Sequence, residues 1–262
     1  MAGSILVRLR RPLHFGQYQV LLARERLPRY PELVADTRPE GSLARTHEGK
    51  PGLPRGRNRL PLPAVQASHR ERLQRSVIAA VADAGFTAVT VAGIVHGARV
   101  SRSVFYAHYT DKEDCFLAAT REGARLMSGR IASATRAVPP AAPDEQVLRA
   151  GLLAFLEFLA DEQAYARVLY VDLPMAGPMA SERLAEASHR FANLNRKWHR
   201  RARTRHPEWP SVPAQAYEAL SGASSELVRP VVRAGQAGTL ANLEGTLVSL
   251  HMAVLAARPW TA

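Results

Sequence analysis

Residues 90–114, TVAGIVHGARVSRSVFYAHYTDKED, decide the fold of this chain. The apolar side chains of the first half recur at helical spacing; they are Val91, Ile94, Val95 and Ala98. The pattern breaks at Arg99 and Val100, after which Ser101 can cap a second short helix that carries Phe105 and Tyr109 inward. The stretch therefore predicts two helices joined by a tight turn.

The second helix has an outward face suited to the major groove of DNA. If Val100, Phe105 and Tyr109 face the core, the opposite face carries Arg102, Ser103, Tyr106 and Ala107. Arg102 can reach a guanine edge or a phosphate, Ser103 can bond either group, and Tyr106 can donate to a phosphate. Thr90 and Lys112 open the flanking helices, where backbone N–H groups and the positive dipole end favour an anion.

Taken alone, a short helix pair with one arginine and one lysine is equally compatible with an ordinary surface hairpin. The order of the residues, however, resembles the DNA-binding domain of the TetR family of bacterial transcription regulators. The matching parts are the helix-opening Thr90, the turn Val100-Ser101, the run Phe105-Tyr106-Ala107-His108-Tyr109 and the helix start Asp111-Lys112-Glu113. Ser101 and His108 join the candidate DNA-binding residues through this match.

Two positions depart from the family pattern. Gly93 stands where the family usually has an acidic residue that closes a capping box, and Arg99 stands where it usually has glycine. A left-handed backbone at Arg99 would cost about 1 kcal/mol.

Composition is consistent with a cytoplasmic DNA-binding protein. The 262 residues are 47% hydrophobic, and the formal net charge of +12 suits a polyanionic partner. We expect no membrane span, no export signal, no metal and no cofactor; a single cysteine, Cys115, excludes an internal disulfide. His189 and His199 have no recognisable spacing to Asp161 or Glu162, so we expect no enzyme.

Residues 1–66 are rich in proline and glycine and are expected to be a mostly disordered basic extension, whose first forty or so residues could reflect an upstream start codon. Within it, Arg55, Arg57 and Arg59 form either an arm that enters the minor groove or a solvated basic linker. The expected helix-turn-helix domain spans 67–114, with its first helix starting near His69 and arginines 70, 72 and 75 on the solvent side.

The remaining residues, 115–262, are expected to form an all-α region for ligand binding and dimerisation, linked by a helix that starts after Asp111. Beyond a break at 137–143, Asp144 is expected to cap an apolar helix. Further helices are expected near 162–171, 179–204, 212–234 and 240–257. The basic run 196–203 is either a second nucleic-acid contact or, as we favour, a solvated helix end.

The resemblance implies a transcriptional regulator, most often a repressor, that a small molecule releases from its operator. Candidate ligand-binding residues are Phe155, Phe158, Tyr165, Tyr170, His189 and Trp198. The resemblance also implies a homodimer through the last two helices, where residues 221–224 are small, and a palindromic operator with half-sites about 34 Å apart. The alternative is a ligand-independent DNA-binding activator or architectural protein.

Overall fold

The computed structural model describes residues 42–45, 61–176 and 178–257, which belong to one compact unit spanning residues 38–262. Every regular element in these ranges is helical, which confirms the predicted all-α class. The α-helices are α1 Leu62–Ala84, α2 Val91–Ala98, α3 Arg102–Tyr106, α4 Lys112–Ala137, α5 Asp144–Asp161, α6 Gln163–Arg167, α7 Pro178–Ala202, α8 Ala214–Arg233 and α9 Glu244–Leu255. A π-helical turn covers Val168–Asp172, and 3₁₀ turns cover Leu173–Met175 and Ala237–Leu243. None of the described helices is both long and apolar enough to cross a membrane.

Helix α1 begins at Leu62, inside the segment expected to precede the first helix. Pro61 precedes the helix and Pro63 lies in its first turn. Proline is compatible with these positions because the first N–H groups of a helix have no intrahelical partner. Reading the two prolines only as helix breakers placed the start too late.

The core of the N-terminal helices is built from α1, α2, α3 and the start of α4. Leu73, Ile94 and Phe105 are fully buried, one from each of the first three helices. The ring of Phe86, on the link after α1, lies 4.9 Å from that of Phe116 on α4. Arg72 on α1 is only 7% exposed, so its expected place on the solvent side is wrong.

Helix α5 is the centre of the remaining helices and packs against α4, α9 and the 3₁₀ turn Ala237–Leu243. Its buried side chains include Leu148, Leu152, Phe155, Leu156 and Leu159. The expectation that Asp144 caps this helix is wrong, because Pro143 occupies the cap position and Asp144 is the first helical residue. The Asp144 side chain is 3% exposed; Arg205 bonds it directly, and His206 lies 3.4 Å away. The Asp144 carboxylate, which the local sequence predicts to be a helix cap, thus forms a long-range ion pair instead.

A short segment of the N-terminal region, residues 42–45, packs against the helical body. The carboxylate of Glu162 accepts hydrogen bonds from the backbone N–H of Ser42 at 3.0 Å, its hydroxyl at 2.6 Å and the N–H of Leu43 at 2.9 Å. Ala44 is 6% exposed and joins the main hydrophobic core. These residues are an ordered part of the stretch expected to be mostly disordered.

Candidate DNA-binding surface and ligand cavities

The start of α2 is fixed by a side-chain cap. Thr90 has an extended backbone, and its hydroxyl oxygen accepts a hydrogen bond from the N–H of Gly93 at 3.1 Å. With glycine at position 93 no side chain returns a bond to the backbone of Thr90. The cap is therefore one-sided, as the sequence predicts.

The turn between α2 and α3 has the predicted left-handed residue. Arg99 has φ 53° and ψ 47°. Its N–H donates to the carbonyl of His96 at 3.0 Å, and the N–H of Val100 donates to that of Val95 at 3.1 Å. This pair of bonds is a Schellman motif, which ends α2 sharply and sets the direction of α3.

Helix α3 is short and is held at both ends. The hydroxyl of Ser101 accepts from the N–H of Val104 at 3.3 Å and lies 2.8 Å from the hydroxyl of Ser103. Phe105 is fully buried, while the ring of Tyr106 meets that of Phe105 edge-on at 5.3 Å. The cap and the buried phenylalanine together fix which face of α3 is exposed.

The exposed face is the one that the spacing predicts. Arg102 and Ser103 are exposed, as is Ala107, and Tyr106 is 59% exposed, one of the few large hydrophobic side chains of the described chain that face solvent. A guanidinium, a hydroxyl and a phenol therefore stand together on one short helix. Their contact with DNA stays a prediction.

His108 differs in position from these three. Its side chain is half-buried, with its ring 6.3 Å from that of His69 on α1. Burial first, and then the charges of Arg70 and His69, lower the pKa of His108 below its usual range. His108 therefore packs beside α1, and its contact with DNA stays a prediction.

The side chain of Lys112 also makes its contacts within the protein. Its ammonium group donates to the carbonyls of Phe86 at 3.1 Å, Thr87 at 3.2 Å and Val89 at 2.8 Å, and lies 4.8 Å from the centre of the Phe86 ring. All three ammonium donors are thus used within the protein. The predicted phosphate contact at the start of α4 would have to come from the helix backbone and not from this side chain. Arg55, Arg57 and Arg59 lie outside the described residues.

The six candidate ligand residues do not form one site. Phe155 and Tyr170 line a cavity of about 80 Å³ together with Ser221, Ser224, Ser225 and Arg229. His189 is wrong as a pocket residue, because its side chain is 63% exposed and pairs with Glu218 at 3.0 Å.

Phe158 and Tyr165 are packing residues. The Tyr165 hydroxyl donates to the carbonyl of Thr120 at 3.0 Å, and the ring of Phe158 meets that of Tyr165 edge-on at 6.0 Å. Burial raises the pKa of Tyr165 far above its ordinary value. Trp198 is separate from these residues and lines a groove of about 280 Å³ between α4, α5 and α7.

Sequence reasoning missed several residues that shape these cavities. Ser221 and Ser224 were expected to admit a partner helix, yet both are 2% exposed within the subunit, and Ser221 bonds Ser188 on α7 at 3.0 Å. Lys197 and Arg201 of the basic run line the groove. In a helix, apolar and charged residues on opposite faces would show which side is turned inward. Residues 196–203 are too uniformly basic to give this signal. Among the described residues no three His, Cys, Asp or Glu side chains are placed to hold a metal ion.

Comparison with known proteins points to one family. Residues 78–119, which include α2, α3 and the start of α4, match the family model described as bacterial regulatory proteins, tetR family. No curated protein matches the chain.

Solved structures share the fold at low sequence identity. The fatty acid degradation regulator FadR from Bacillus halodurans is 18% identical with a TM-score of 0.62, covering 70% of this chain and 94% of its own. FadR from Bacillus subtilis, in complex with stearoyl-CoA, is 16% identical with a TM-score of 0.61, covering 68% of this chain and 95% of its own. Salmonella enterica GusR is 17% identical with a TM-score of 0.58, covering 77% of this chain and 100% of its own. Together with the capped helix-turn-helix and its motif, these matches identify residues 78–119 as a helix-turn-helix of the tetR family of bacterial regulatory proteins, and they show that the described helices share the fold of such regulators.

Proposed function

We propose that this regulator is a repressor that reads a two-fold symmetric operator through α3 and leaves it when a small molecule binds the C-terminal helices. The observation that carries the proposal is the exposed set Arg102, Ser103 and Tyr106 on a helix whose backbone is fixed by the Ser101 cap and the buried Phe105. Fixed backbone geometry is what direct readout of base edges requires.

Selection of bound sites from random DNA tests the reading of an operator. We expect an enriched sequence with two inverted half-sites whose centres are about 34 Å apart. Arg102→Ala should weaken binding by about 1–3 kcal/mol and relax the sequence preference at one position in each half-site. Arg121→Ala removes an exposed arginine of α4 and is the matched control, which should change neither. No enriched sequence, or equal binding by Arg102→Ala, would contradict the proposal.

The basic segment ahead of α1 is the second proposed DNA contact. Arg55, Arg57 and Arg59 precede the first helix closely enough for an arm to reach the minor groove beside α3. Replacing all three with alanine should weaken operator binding and reduce the slope of log K against log salt by up to about 3. An unchanged slope would leave these residues as a solvated linker.

The dimer is proposed to form through the outer faces of α8 and α9. A Cβ atom added at Gly222 or Gly245 would meet no heavy atom within 4 Å, so both positions face open space in the subunit. Small side chains allow two helices to approach closely, and a symmetric dimer matches a palindromic operator. Gly222 and Ala223, rather than Ser221 and Ser224, are the residues of the small run that fit this role.

Release by a ligand is proposed as a population shift. Helix α4 runs without a break from the DNA-binding region into the C-terminal helices, so its tilt can link the two. A ligand shifts the equilibrium only by the difference in its affinity for the two arrangements. Because Bacillus subtilis FadR was solved with stearoyl-CoA, acyl-CoA compounds are the first effectors to test. Effectors should raise the melting temperature and lower operator affinity together.

A further inference from the structure

A groove among the C-terminal helices contains none of the candidate DNA-binding residues. It lies between the last turns of α4, the first half of α5 and the second half of α7, and its volume is about 280 Å³. Leu148 and Leu152 form buried parts of its wall, and Phe191, Leu194 and Trp198 are partly buried beside them. The groove therefore presents an apolar floor that remains open to solvent.

The rim of this groove is cationic. Arg136 on α4 and Lys197 and Arg201 on α7 line it, and all three are exposed. None of the three forms an ion pair with any described residue, and no carboxylate is among the lining residues. Asp144, whose carbonyl accepts from the Trp198 indole at 3.0 Å, has its carboxylate engaged by Arg205. The rim thus holds unbalanced positive charge next to an apolar floor.

Charge and size together restrict the occupant. At about 280 Å³, the groove has room for a hydrocarbon tail. A protein occupant from this chain is disfavoured, because the chain carries a net charge of +12 and its first residues include Arg8, Arg10 and Arg11. An anionic head with an apolar tail satisfies both the rim and the floor.

We propose that this groove binds an amphiphilic anion, a hydrocarbon chain that ends in a carboxylate or in the phosphates of a thioester carrier. The tail would lie on the Leu148, Leu152 and Trp198 floor, and the head would meet Lys197 and Arg201. The assignment names the effector class of the proposed function. It rests on that function only for its consequence at the operator, since binding itself is measured without DNA.

The position of the groove gives the ligand a route to the DNA-binding region. Ile131, Ala132 and Thr135 are α4 residues of the groove wall, and Phe191 and Trp198 are α7 residues of the same wall. A hydrocarbon chain inserted between them would contact the C-terminal half of α4, the helix that begins at Lys112, shortly after α3. A ligand that binds the arrangement with these helices apart more tightly would oppose the DNA-bound arrangement.

Calorimetry with the full chain tests the assignment using decanoate, decanoyl-CoA, decanol and CoA. We expect decanoate or decanoyl-CoA to bind at least tenfold more tightly than decanol, which has the tail without the charge, and CoA alone to bind weakly. Tight binding of decanoate identifies a free acid as the source, whereas binding of decanoyl-CoA alone identifies the thioester. Equal binding of decanol and decanoate, or no binding of any probe, would overturn the proposal.

Two variants locate the site. Lys197→Ala/Arg201→Ala should reduce the affinity for the charged probes about tenfold and leave decanol unchanged. The control Arg200→Ala/Arg233→Ala removes the same charge from exposed positions that do not line the groove and should change nothing. Ala132→Phe should fill the groove and abolish binding of all probes.

Probe binding tests the groove as a binding site, and operator affinity tests separately whether its ligand releases DNA. If Lys197→Ala/Arg201→Ala binds the probes as tightly as the unmodified chain does, or if Ala132→Phe alters the oligomeric state instead of probe binding, the assignment of the groove is wrong. If the probes bind as expected but operator affinity does not fall, the groove stands as a binding site and the ligand-release function fails.

Discussion

At the scale of single residues, the groups that hold the DNA-binding surface in place are often not those that face DNA. Lys112 shows this most clearly, because its ammonium group donates hydrogen bonds to three backbone carbonyls of the link between α1 and α2. It secures the start of α4 to that link. Loss of a structural lysine lowers the free energy of unfolding, whereas loss of a phosphate-binding lysine lowers the salt dependence of operator binding.

Lys112→Met should therefore destabilise the fold without removing a phosphate contact. Three carbonyls lose a charged donor, and a loss of about 1.5–3 kcal/mol in the free energy of unfolding is expected. The measurement is urea unfolding together with operator binding at several salt concentrations. A stable variant whose salt slope falls by about 1 would show that the lysine contacts a phosphate instead.

Gly123 is a second residue whose role is set by its neighbour. A Cβ atom there would lie 2.1 Å from Cε2 and 2.4 Å from Cζ of Tyr165, and this ring is fixed by its hydrogen bond to Thr120. Gly123→Ala should destabilise the protein by about 1–3 kcal/mol through overpacking. The control is Gly129→Ala on the same helix, where no heavy atom lies within 4 Å of the added Cβ. That change should be neutral or stabilising by about 1 kcal/mol, and equal effects of the two substitutions would contradict this account of Gly123.

At the scale of elements, sequence reasoning succeeded where the cause is local. The Ser101 cap follows from the residues around it, and the Thr90 cap and the left-handed Arg99 follow from the family resemblance; each depends on partners within five residues. It failed where the partner is distant. Glu162 bonds Ser42 across 120 positions, and the Asp144–Arg205 pair spans 61 positions, so no local pattern carries either contact. The ligand cavities depend on how several helices pack, which explains why Phe155 and Trp198 were placed in one pocket and lie in two.

The docking of residues 42–45 onto the start of α6 is an element-level contact that can be measured. Glu162 is 8% exposed and accepts three hydrogen bonds from this segment, so Glu162→Ala should cost about 1.5–3 kcal/mol of unfolding free energy. The control is Glu157→Ala, whose side chain is 46% exposed in a 3.4 Å pair with Arg130 and should contribute less than about 1 kcal/mol.

A double-mutant cycle identifies the partner. Ser42→Ala removes only the hydroxyl donor, so Ser42→Ala and Glu162→Ala together should cost at least about 0.5 kcal/mol less than the sum of the two single changes. Strict additivity in urea unfolding would mean that the segment does not rest on Glu162.

At the scale of the whole molecule, α4 connects the regions that the proposals assign to DNA and to ligand. Its first residue, Lys112, donates to the carbonyl of Val89 on the link between α1 and α2. Its last turns form one wall of the cationic groove. Under the proposed function, operator and effector compete through the angle of this one helix. This competition has its full effect only if two recognition helices are tied together, because the helix angle sets the distance between them.

The dimer therefore carries the last prediction. Gly222 is exposed on α8 and a side chain there meets nothing within the subunit, so Gly222→Arg should leave the subunit folded while placing a bulky charge in the proposed interface. Analytical ultracentrifugation should show half the mass of the unmodified protein, with an unchanged helical circular dichroism spectrum. Affinity for a two-half-site operator should fall at least about tenfold, since the second half-site no longer adds binding energy. Gly129→Arg adds the same side chain at an open position on α4 and should remain a dimer. A Gly222→Arg protein that stays dimeric would place the interface on another face, because like charges brought together on a two-fold axis cannot both be accommodated in a close helix contact.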